Sequence, residues 1–170
     1  MTSAPFDVTP FLRQDEGQHF DRKSLFEGPE DAKRTRDRRS VRNQVAEYVA
    51  AFANAEGGIL ILGIENDGTV TGHRYPDDAV RAILETPRTR LRPSQPAGFV
   101  VEHQGVELLV FDVPLSDVAV QVEGNGFPLR VGDKTVQASE SQIQALKFRG
   151  VVESWESRPS RCVSQTLTLH

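Results

Sequence analysis

The sequence predicts a mixed α/β (α+β) domain, in which a mixed β-sheet packs against helices. Three observations lead to this fold class. Apolar residues recur at the spacing of one helical face between residues 38 and 54, and a continuous apolar run follows at residues 59–64. Two further apolar segments, GFVVEH and VELLVFDVP, flank Gly105 in the manner of a hairpin.

The pattern of residues 38–54 is that of an amphipathic helix packed on the core. Its inward positions are Val41, Val45, Tyr48, Val49 and Phe52. Asn54, followed by two glycines, is expected to end the helix. The apolar run at residues 59–64 then suits a central strand that is buried on both faces.

The segments before and after this centre are assigned by weaker signals. Residues 7–14 are expected to form a short helix with Thr9 as its cap and Pro10 in its first turn. Alternation near residues 19–26 favours a strand, and GPEDAKR at residues 28–34 reads as a loop. The NDG turn at residues 66–68 predicts a hairpin whose second strand is TVTG at residues 69–72.

The second half of the chain continues the alternation of helices and strands. A helix is expected at residues 76–84, whereas three prolines prevent residues 87–96 from being helical throughout. A strand and a turn follow at residues 127–139, and a Ser-x-x-Gln cap at Ser139 starts a helix to about residue 148. We expect residues 1–150 to form a single domain and residues 151–170 to be a mobile C-terminal tail.

Bulk composition bounds the class of protein. A chain of 170 residues with 38% hydrophobic and 26% charged residues is typical of one ordinary globular domain. No apolar stretch approaches the length of a membrane span, and MTSAPFDVTP at the start lacks the features of a signal peptide, so we expect a cytoplasmic protein with no membrane partner. The single cysteine, Cys162, excludes an intramolecular disulfide and a thiolate zinc cluster.

The net charge of −4 hides two basic clusters. The first lies in KRTRDRRSVR at residues 33–42, and the second lies in PRTRLRP at residues 87–93. Arginine forks match the geometry of phosphate groups, so these clusters are candidate contacts to DNA or RNA. The arginines proposed for this role, with one from the RVG segment, are Arg34, Arg36, Arg38, Arg39, Arg42, Arg88, Arg90, Arg92 and Arg130. A solvated basic face or an acidic protein partner would explain the same charges.

Five short motifs resemble the Schlafen AlbA_2 domain. They are EGQHFDRK at residues 16–23, AFANAEGG at 51–58, GIENDG at 63–68, VPLS at 113–116 and RVG at 130–132. The chain departs from the family pattern at Asp21, where the family usually has Glu, at Arg22, where it has Phe, and at Asn66, where it often has Asp. It also carries an insertion, FEGPEDAKRTRD, before the long helix.

The resemblance implies two functions. The family is usually assigned as a DNA-binding module, which here implies nucleic-acid binding in a regulatory or defence-related role. Schlafen nucleases imply instead a metal-dependent endoribonuclease, with Mg or Mn as its cofactor. The residues that would correspond to its catalytic set are Glu16, Asp21, Lys23, Glu65 and Asp67, with Glu16, Asp21 and Asp67 as metal ligands.

Several alternatives stay open at this point. The resemblance does not decide between Glu65 and Asp67, and acids in an NDG turn also arise from turn chemistry alone. A non-catalytic module that binds a protein partner is the third function considered. Because the family pairs domains in a pseudo-dimeric core, we expect a homodimer. ATP binding has no support, because the glycines near residues 57–63 lack a phosphate-loop Lys-Ser/Thr and precede a strand.

Overall fold

The structure of the protein is a computed structural model that describes residues 6–156, with side chains up to residue 149. A short 3₁₀ helix spans Thr9–Phe11. The α-helices are α1 (Arg38–Asn54), α2 (Asp77–Leu84), α3 (Thr86–Arg90) and α4 (Glu140–Glu156). The strands are β1 (Phe20–Lys23), β2 (Phe26–Glu27), β3 (Arg34–Thr35), β4 (Gly58–Leu62), β5 (Leu91–Arg92), β6 (Phe99–His103), β7 (Val106–Val113), β8 (Gln121–Val122), β9 (Pro128–Val131) and β10 (Lys134–Gln137).

The main sheet has four strands in the order β1-β4-β7-β6. Strand β1 runs parallel to β4, while β7 is antiparallel to both β4 and β6. The sheet is therefore mixed, and the predicted fold class is confirmed. The remaining strands form three two-stranded pairs, β2-β3, β5-β8 and β9-β10.

Strand β4 lies at the centre of the core, as its apolar run predicts. Leu60 and Leu62 face the larger cluster, which α1 covers with Val45, Val49 and Phe52 among others. Ile61 faces a smaller cluster on the other side of the sheet. Apolar side chains thus cover both faces of β4, and the expectation of a doubly buried strand is confirmed.

The two glycines after α1 let the chain turn closely against the sheet. Gly57 has a φ of +78°, and a Cβ there would lie 2.8 Å from the Val113 carbonyl oxygen and 2.9 Å from the Leu115 nitrogen. Only glycine fits such a conformation and approach. The AFANAEGG segment is thus a helix-to-strand connection.

Four local predictions differ from the structure. Residues 69–72 form only an isolated bridge, Ile64 to Val70, because Thr71 and Gly72 both donate their amides to the Gly63 carbonyl. The N-terminal helix is reduced to Thr9–Phe11. The predicted loop at residues 28–34 is confirmed over residues 28–33, but its last residue, Arg34, begins β3 and pairs with Glu27 in the β2-β3 hairpin.

The fourth difference concerns the C-terminal helix. The capping box at Ser139 and Gln142 is present, but α4 continues to Glu156 rather than ending near residue 148. Gly150 lies inside the helix and does not end it, since glycine costs only about 1 kcal/mol relative to alanine there. The rest of the predicted tail, residues 157–170, lies outside the described residues. Within residues 6–156, the helices are too short or too polar to cross a membrane.

Candidate nucleic-acid interface

A buried charged cluster surrounds Asp21 on β1. Arg130 of β9 donates a hydrogen bond from its Nη1 to Asp21 Oδ2 at 2.8 Å, and both side chains are at most 1% exposed. Lys23 Nζ lies 3.0 Å from Asp21 Oδ1, in an ion pair without hydrogen-bond geometry. Both oxygens of this carboxylate therefore face cationic groups of the protein itself.

Glu16 lies beside this pair and is half-buried. Its Oε1 accepts a hydrogen bond from the Arg22 amide at 3.4 Å. Burial raises the pKa of Glu16, and the hydrogen bond and negative charge of Asp21 raise it further. Burial opposes the charged form of Lys23, but the attraction of Asp21 outweighs it, so the pKa of Lys23 is raised.

The other two acids lie in the turn after β4 and have different surroundings. Asp67 is exposed, and its Oδ1 accepts from the Thr69 amide at 2.9 Å, which lowers the pKa of Asp67. Such a contact is typical of turn chemistry. Glu65 Oε1 lies 3.9 Å from Lys33 Nζ. The structure therefore brings Glu16, Asp21 and Lys23 together, and places Glu65 and Asp67 in a separate turn.

This arrangement does not fit the metal site that the resemblance implies. Mg²⁺ and Mn²⁺ need carboxylate oxygens that are free to coordinate. Asp21 Oδ2 accepts a hydrogen bond from Arg130, and Asp21 Oδ1 lies in an ion pair with Lys23 although it accepts no hydrogen bond among the described residues. Among the described residues, no three His, Cys, Asp or Glu side chains form a group that could hold a metal ion. We derive no catalytic step from these acids.

We expect Glu16→Gln to remove a pH-dependent loss of stability. Because the pKa of Glu16 is raised in the folded chain, its ionised form opposes folding, and this effect grows as the pH rises above the ordinary value of 4.5. Glutamine keeps an oxygen for the Arg22 amide but cannot ionise. The variant should therefore melt at a higher temperature than the parent at neutral pH, and the difference should shrink below pH 4.5 in thermal melts.

The control for this prediction is Glu102→Gln, an exposed position on the edge strand β6. It should leave the pH dependence of the melting temperature unchanged. Identical pH profiles for Glu16→Gln and the parent protein would contradict the prediction.

Four of the predicted arginines line one open cleft, which we call the arginine cleft. Three of them come from the first turns of α1 and the fourth ends α3, and they are Arg38, Arg39, Arg42 and Arg90. The opposite wall is the loop with Glu123, Gly124 and Asn125. The cleft has a volume of about 780 Å³.

Polar contacts hold three of the four cleft arginines in place. Arg90 Nη1 donates to Asn43 Oδ1 at 2.6 Å, and Arg42 Nε donates to Thr86 Oγ1 at 3.3 Å. Arg38 pairs with Asp78 at 3.2 Å on the exposed surface. Each contact leaves further guanidinium N–H groups of these residues for an outside acceptor.

The other predicted arginines lie elsewhere. Arg92 is at the margin of the cleft, where it pairs with Glu123 at 3.5 Å. Arg34 pairs with Glu27 on the β2-β3 hairpin, and Arg88 pairs with Glu85 on α3. The last two arginines bond within the protein. Arg36 Nη1 donates to the Ser24 carbonyl and to Gln44 Oε1, and Arg130 is buried against Asp21. A phosphate cannot reach Arg130 in this position.

Five lining residues of the cleft were not among the sequence candidates, and they are Asn43, Ala82, Glu123, Gly124 and Asn125. Asn43 could have been found, because it lies four residues after Arg39 and one face of a helix carries residues at that spacing. Gly124 and Asn125 carry no comparable signal. They reach the cleft only because the loop before β9 folds back over α3, where the Glu123 amide donates to the Arg90 carbonyl at 2.9 Å.

Comparison with known proteins places the fold in a family. The family model described as Schlafen, AlbA_2 matches residues 16–139. The crystal structure of the DIP2311 protein from Corynebacterium diphtheriae is similar with a TM-score of 0.53 and 21% identity, over 76% of this chain and 24% of that one. This chain thus spans about a quarter of the length of that protein, and at this identity the likeness shows the fold alone.

A second solved structure is more distant. It is the N-terminal domain of a protein from Nitrosomonas europaea described as related to the ATP-dependent DNA helicase RecG, with a TM-score of 0.45 and 24% identity over 65% of this chain and 71% of that one. A comparison with curated proteins finds no significant match. Since the family model covers residues 16–139 of 170, the chain belongs to the Schlafen AlbA_2 family.

Proposed function

We propose that this protein binds nucleic acid through the arginine cleft, in a regulatory or defence-related role. The observation that carries the proposal is the convergence of four arginines from two helices on one open cleft. Glu123, the one acid among the lining residues, is paired with Arg92 outside them. The cleft therefore has an excess of positive charge although the chain as a whole has a net charge of −4.

The position of these arginines supports a phosphate ligand. The N-terminus of a helix carries a partial positive charge, so arginines in the first turn of α1 are unfavourably placed unless something else is gained. A phosphate backbone would be attracted by the guanidinium groups and by the helix end together. Asp37, the N-cap of α1, accepts a hydrogen bond from the Ser40 amide at 3.0 Å. Its carboxylate offsets part of the positive charge of the helix end and of the nearby arginines.

Family membership supports the same class of partner, and the regulatory or defence-related role depends on the family resemblance alone. The predicted homodimer stays a prediction. The nuclease alternative lacks such support, because the Asp21 carboxylate is ion-paired with Lys23 and Arg130. An acidic protein is the alternative partner for the same cleft, and it is favoured if the parent protein binds no nucleic acid.

We expect Arg39→Ala/Arg42→Ala to weaken binding to short DNA and RNA duplexes at all sequences tested. Binding to nucleic acid releases about one counterion for each phosphate contact. The loss of two contacts should therefore make the slope of log K against log salt concentration shallower by about two. Fluorescence anisotropy across a salt series measures both quantities.

The matched control is Arg13→Ala, which removes an exposed arginine outside the cleft and should leave the salt slope within error. Thermal melts of all variants show whether the Arg42 contact with Thr86 contributes to folding. If the parent protein binds no duplex and no single strand at low salt, the proposal fails. If the protein binds an acidic protein through the cleft but binds no nucleic acid, the cleft is a protein-recognition site.

A further inference from the structure

A second polar cavity lies away from the arginine cleft, between the β2-β3 hairpin and the chain that follows β4. Its volume is about 310 Å³, and it shares four lining residues with a neighbouring cavity of about 580 Å³. The shared residues are Phe26, Lys33, Glu65 and Thr71. The hairpin that forms one wall belongs to the insertion that distinguishes this chain from the family pattern.

Glu65 has an incomplete set of hydrogen bonds in this wall. Its Oε2 is buried and lacks a donor among the described residues. Its Oε1 lies 3.9 Å from Lys33 Nζ, which is an ion-pair distance but too long for a hydrogen bond. A buried carboxylate oxygen without a donor is costly, and two parallel N–H groups from a ligand would satisfy both oxygens.

Access to both oxygens requires only a small adjustment. The side chain of Glu65 is 20% exposed, so the carboxylate forms part of the cavity wall. Glu65 Oε2 is buried in this conformation, and a half-turn of the carboxylate would only exchange its two oxygens. The terminal torsion of glutamate is broad, however, and a partial rotation brings both oxygens to the same depth at the cavity wall. The nearby His73 does not supply the missing donor, because its Nε2 is paired with Glu107 at 2.8 Å and its Nδ1 accepts from the Tyr75 amide.

The other walls suit a flat ring. The Arg74 guanidinium lies over the Phe26 ring, 5.6 Å from its centre, and Arg74 is exposed, so the guanidinium face turned away from Phe26 is a planar surface open to a ring. Unpaired bases stack on such groups in proteins that recognise nucleotides. The cavity therefore offers a stacking surface, one ammonium donor at Lys33 and two acceptor oxygens at Glu65.

We propose that this cavity binds the base of a single guanine nucleotide through Lys33 and Glu65. The pairing edge of guanine presents an acceptor, O6, beside two donors, the N1–H and the N2 amino group. Lys33 Nζ and the two oxygens of Glu65 present the complementary order of one donor and two acceptors. Adenine presents a donor and then an acceptor at these positions, so its edge would meet like groups in both places.

The nucleotide can come from two sources, and both use the same chemistry. A free guanine nucleotide would bind independently of the arginine cleft. An unpaired guanine in a nucleic-acid strand would bind together with the arginine cleft. Only this second source rests on the proposed function. Calorimetric titration with GMP, and with otherwise identical short strands carrying one unpaired G or A, separates the two.

We expect GMP to bind the parent protein about 5- to 150-fold more tightly than AMP, because a good bidentate contact discriminates between bases over that range. IMP, which lacks only the N2 amino group, should bind between them. Glu65→Gln keeps the shape of the side chain but replaces one acceptor with a donor, and it should abolish the preference for GMP. Lys33→Met should weaken GMP while leaving the ratio of IMP to GMP unchanged, because O6 is common to both.

The matched control is Glu102→Gln, an exposed carboxylate on β6 outside the cavity, which should bind GMP as the parent does. If neither GMP nor the strand with an unpaired G binds, or if Glu65→Gln keeps the preference for guanine, the proposal is overturned. Arg39→Ala/Arg42→Ala should retain GMP binding. GMP binding in a protein that binds neither a duplex nor a single strand at low salt would refute the arginine cleft alone, and nucleic-acid binding without any guanine preference would refute the Glu65 cavity alone.

Discussion

Asp21→Ala is expected to lower the free energy of unfolding by about 3–5 kcal/mol, because it leaves the buried Arg130 guanidinium without its counter-ion. The pair is among the most enclosed polar contacts in the described residues, with both side chains at most 1% exposed and a distance of 2.8 Å. Removing one partner of such a pair costs more than the pair itself contributes. Urea unfolding followed by circular dichroism measures the difference.

A double variant separates the charge from the packing. Asp21→Ala/Arg130→Met removes both charges, and methionine fills much of the space of the arginine stem against Tyr48 and Phe52, over whose rings the guanidinium lies. It should recover a substantial part of the lost stability, since replacing a buried ion pair with apolar groups is often close to neutral.

The control variant is Asp112→Ala, which removes an exposed carboxylate on β7 and should change the unfolding free energy by no more than about 0.5 kcal/mol. A loss below about 1 kcal/mol for Asp21→Ala would mean that the Arg130 guanidinium finds water or another acceptor. In that case the carboxylate oxygens of Asp21 would be free more often than the structure indicates, and a role as a metal ligand would need to be considered again.

The elements predicted most accurately are those whose signal is local. Helix α1 has the predicted bounds, Arg38–Asn54, because several apolar residues at helical spacing combine with an N-capping aspartate. The continuous apolar run at residues 59–64 predicts strand β4 in the same way, and the strand lies at Gly58–Leu62. The residues after Gly68 have a hairpin signal of the same kind, but the amides of Thr71 and Gly72 both donate to the Gly63 carbonyl, so no second strand forms there.

The candidate site was less predictable, since its decisive contacts join distant parts of the chain. Asp21 meets Arg130 across 109 positions of sequence. A motif shows that both residues are present, but not that one neutralises the other. The sequence therefore suggested Asp21 as a metal ligand and Arg130 as a phosphate contact. In the fold, the two side chains form a buried ion pair with each other.

Asn54, in the AFANAEGG segment, is a buried side chain that bonds to distant parts of the backbone. Its amide nitrogen donates to the carbonyl oxygens of Val120 and Pro128, each at 2.8 Å, and its Oδ1 accepts from the Val120 amide at 2.7 Å. The residue is 1% exposed. One side chain thus holds the end of α1 to both ends of the loop that forms a wall of the arginine cleft.

We expect Asn54→Ala to lower the free energy of unfolding by about 3 kcal/mol or more, because it leaves one backbone donor and two backbone acceptors buried without partners. Asn54→Asp preserves the size of the side chain and the bond from the Val120 amide. It places a charged oxygen against two carbonyl oxygens, however, so it should be at least as destabilising as alanine at neutral pH. Chemical denaturation measures both, with the exposed Asn125→Ala as the near-neutral control.

The same substitution should act on the cleft before the whole protein unfolds. The Val120 amide loses its acceptor in Asn54→Ala, so its hydrogen exchange should accelerate more than that of Leu60, which lies in the central strand. The Glu123 amide, bonded to Arg90, should accelerate with it if the loop moves as a unit. Unchanged exchange at Val120 would show that the loop is held by its contacts with α3 alone. Accelerated exchange would make Asn54 the residue that couples the end of α1 to the shape of the proposed binding surface.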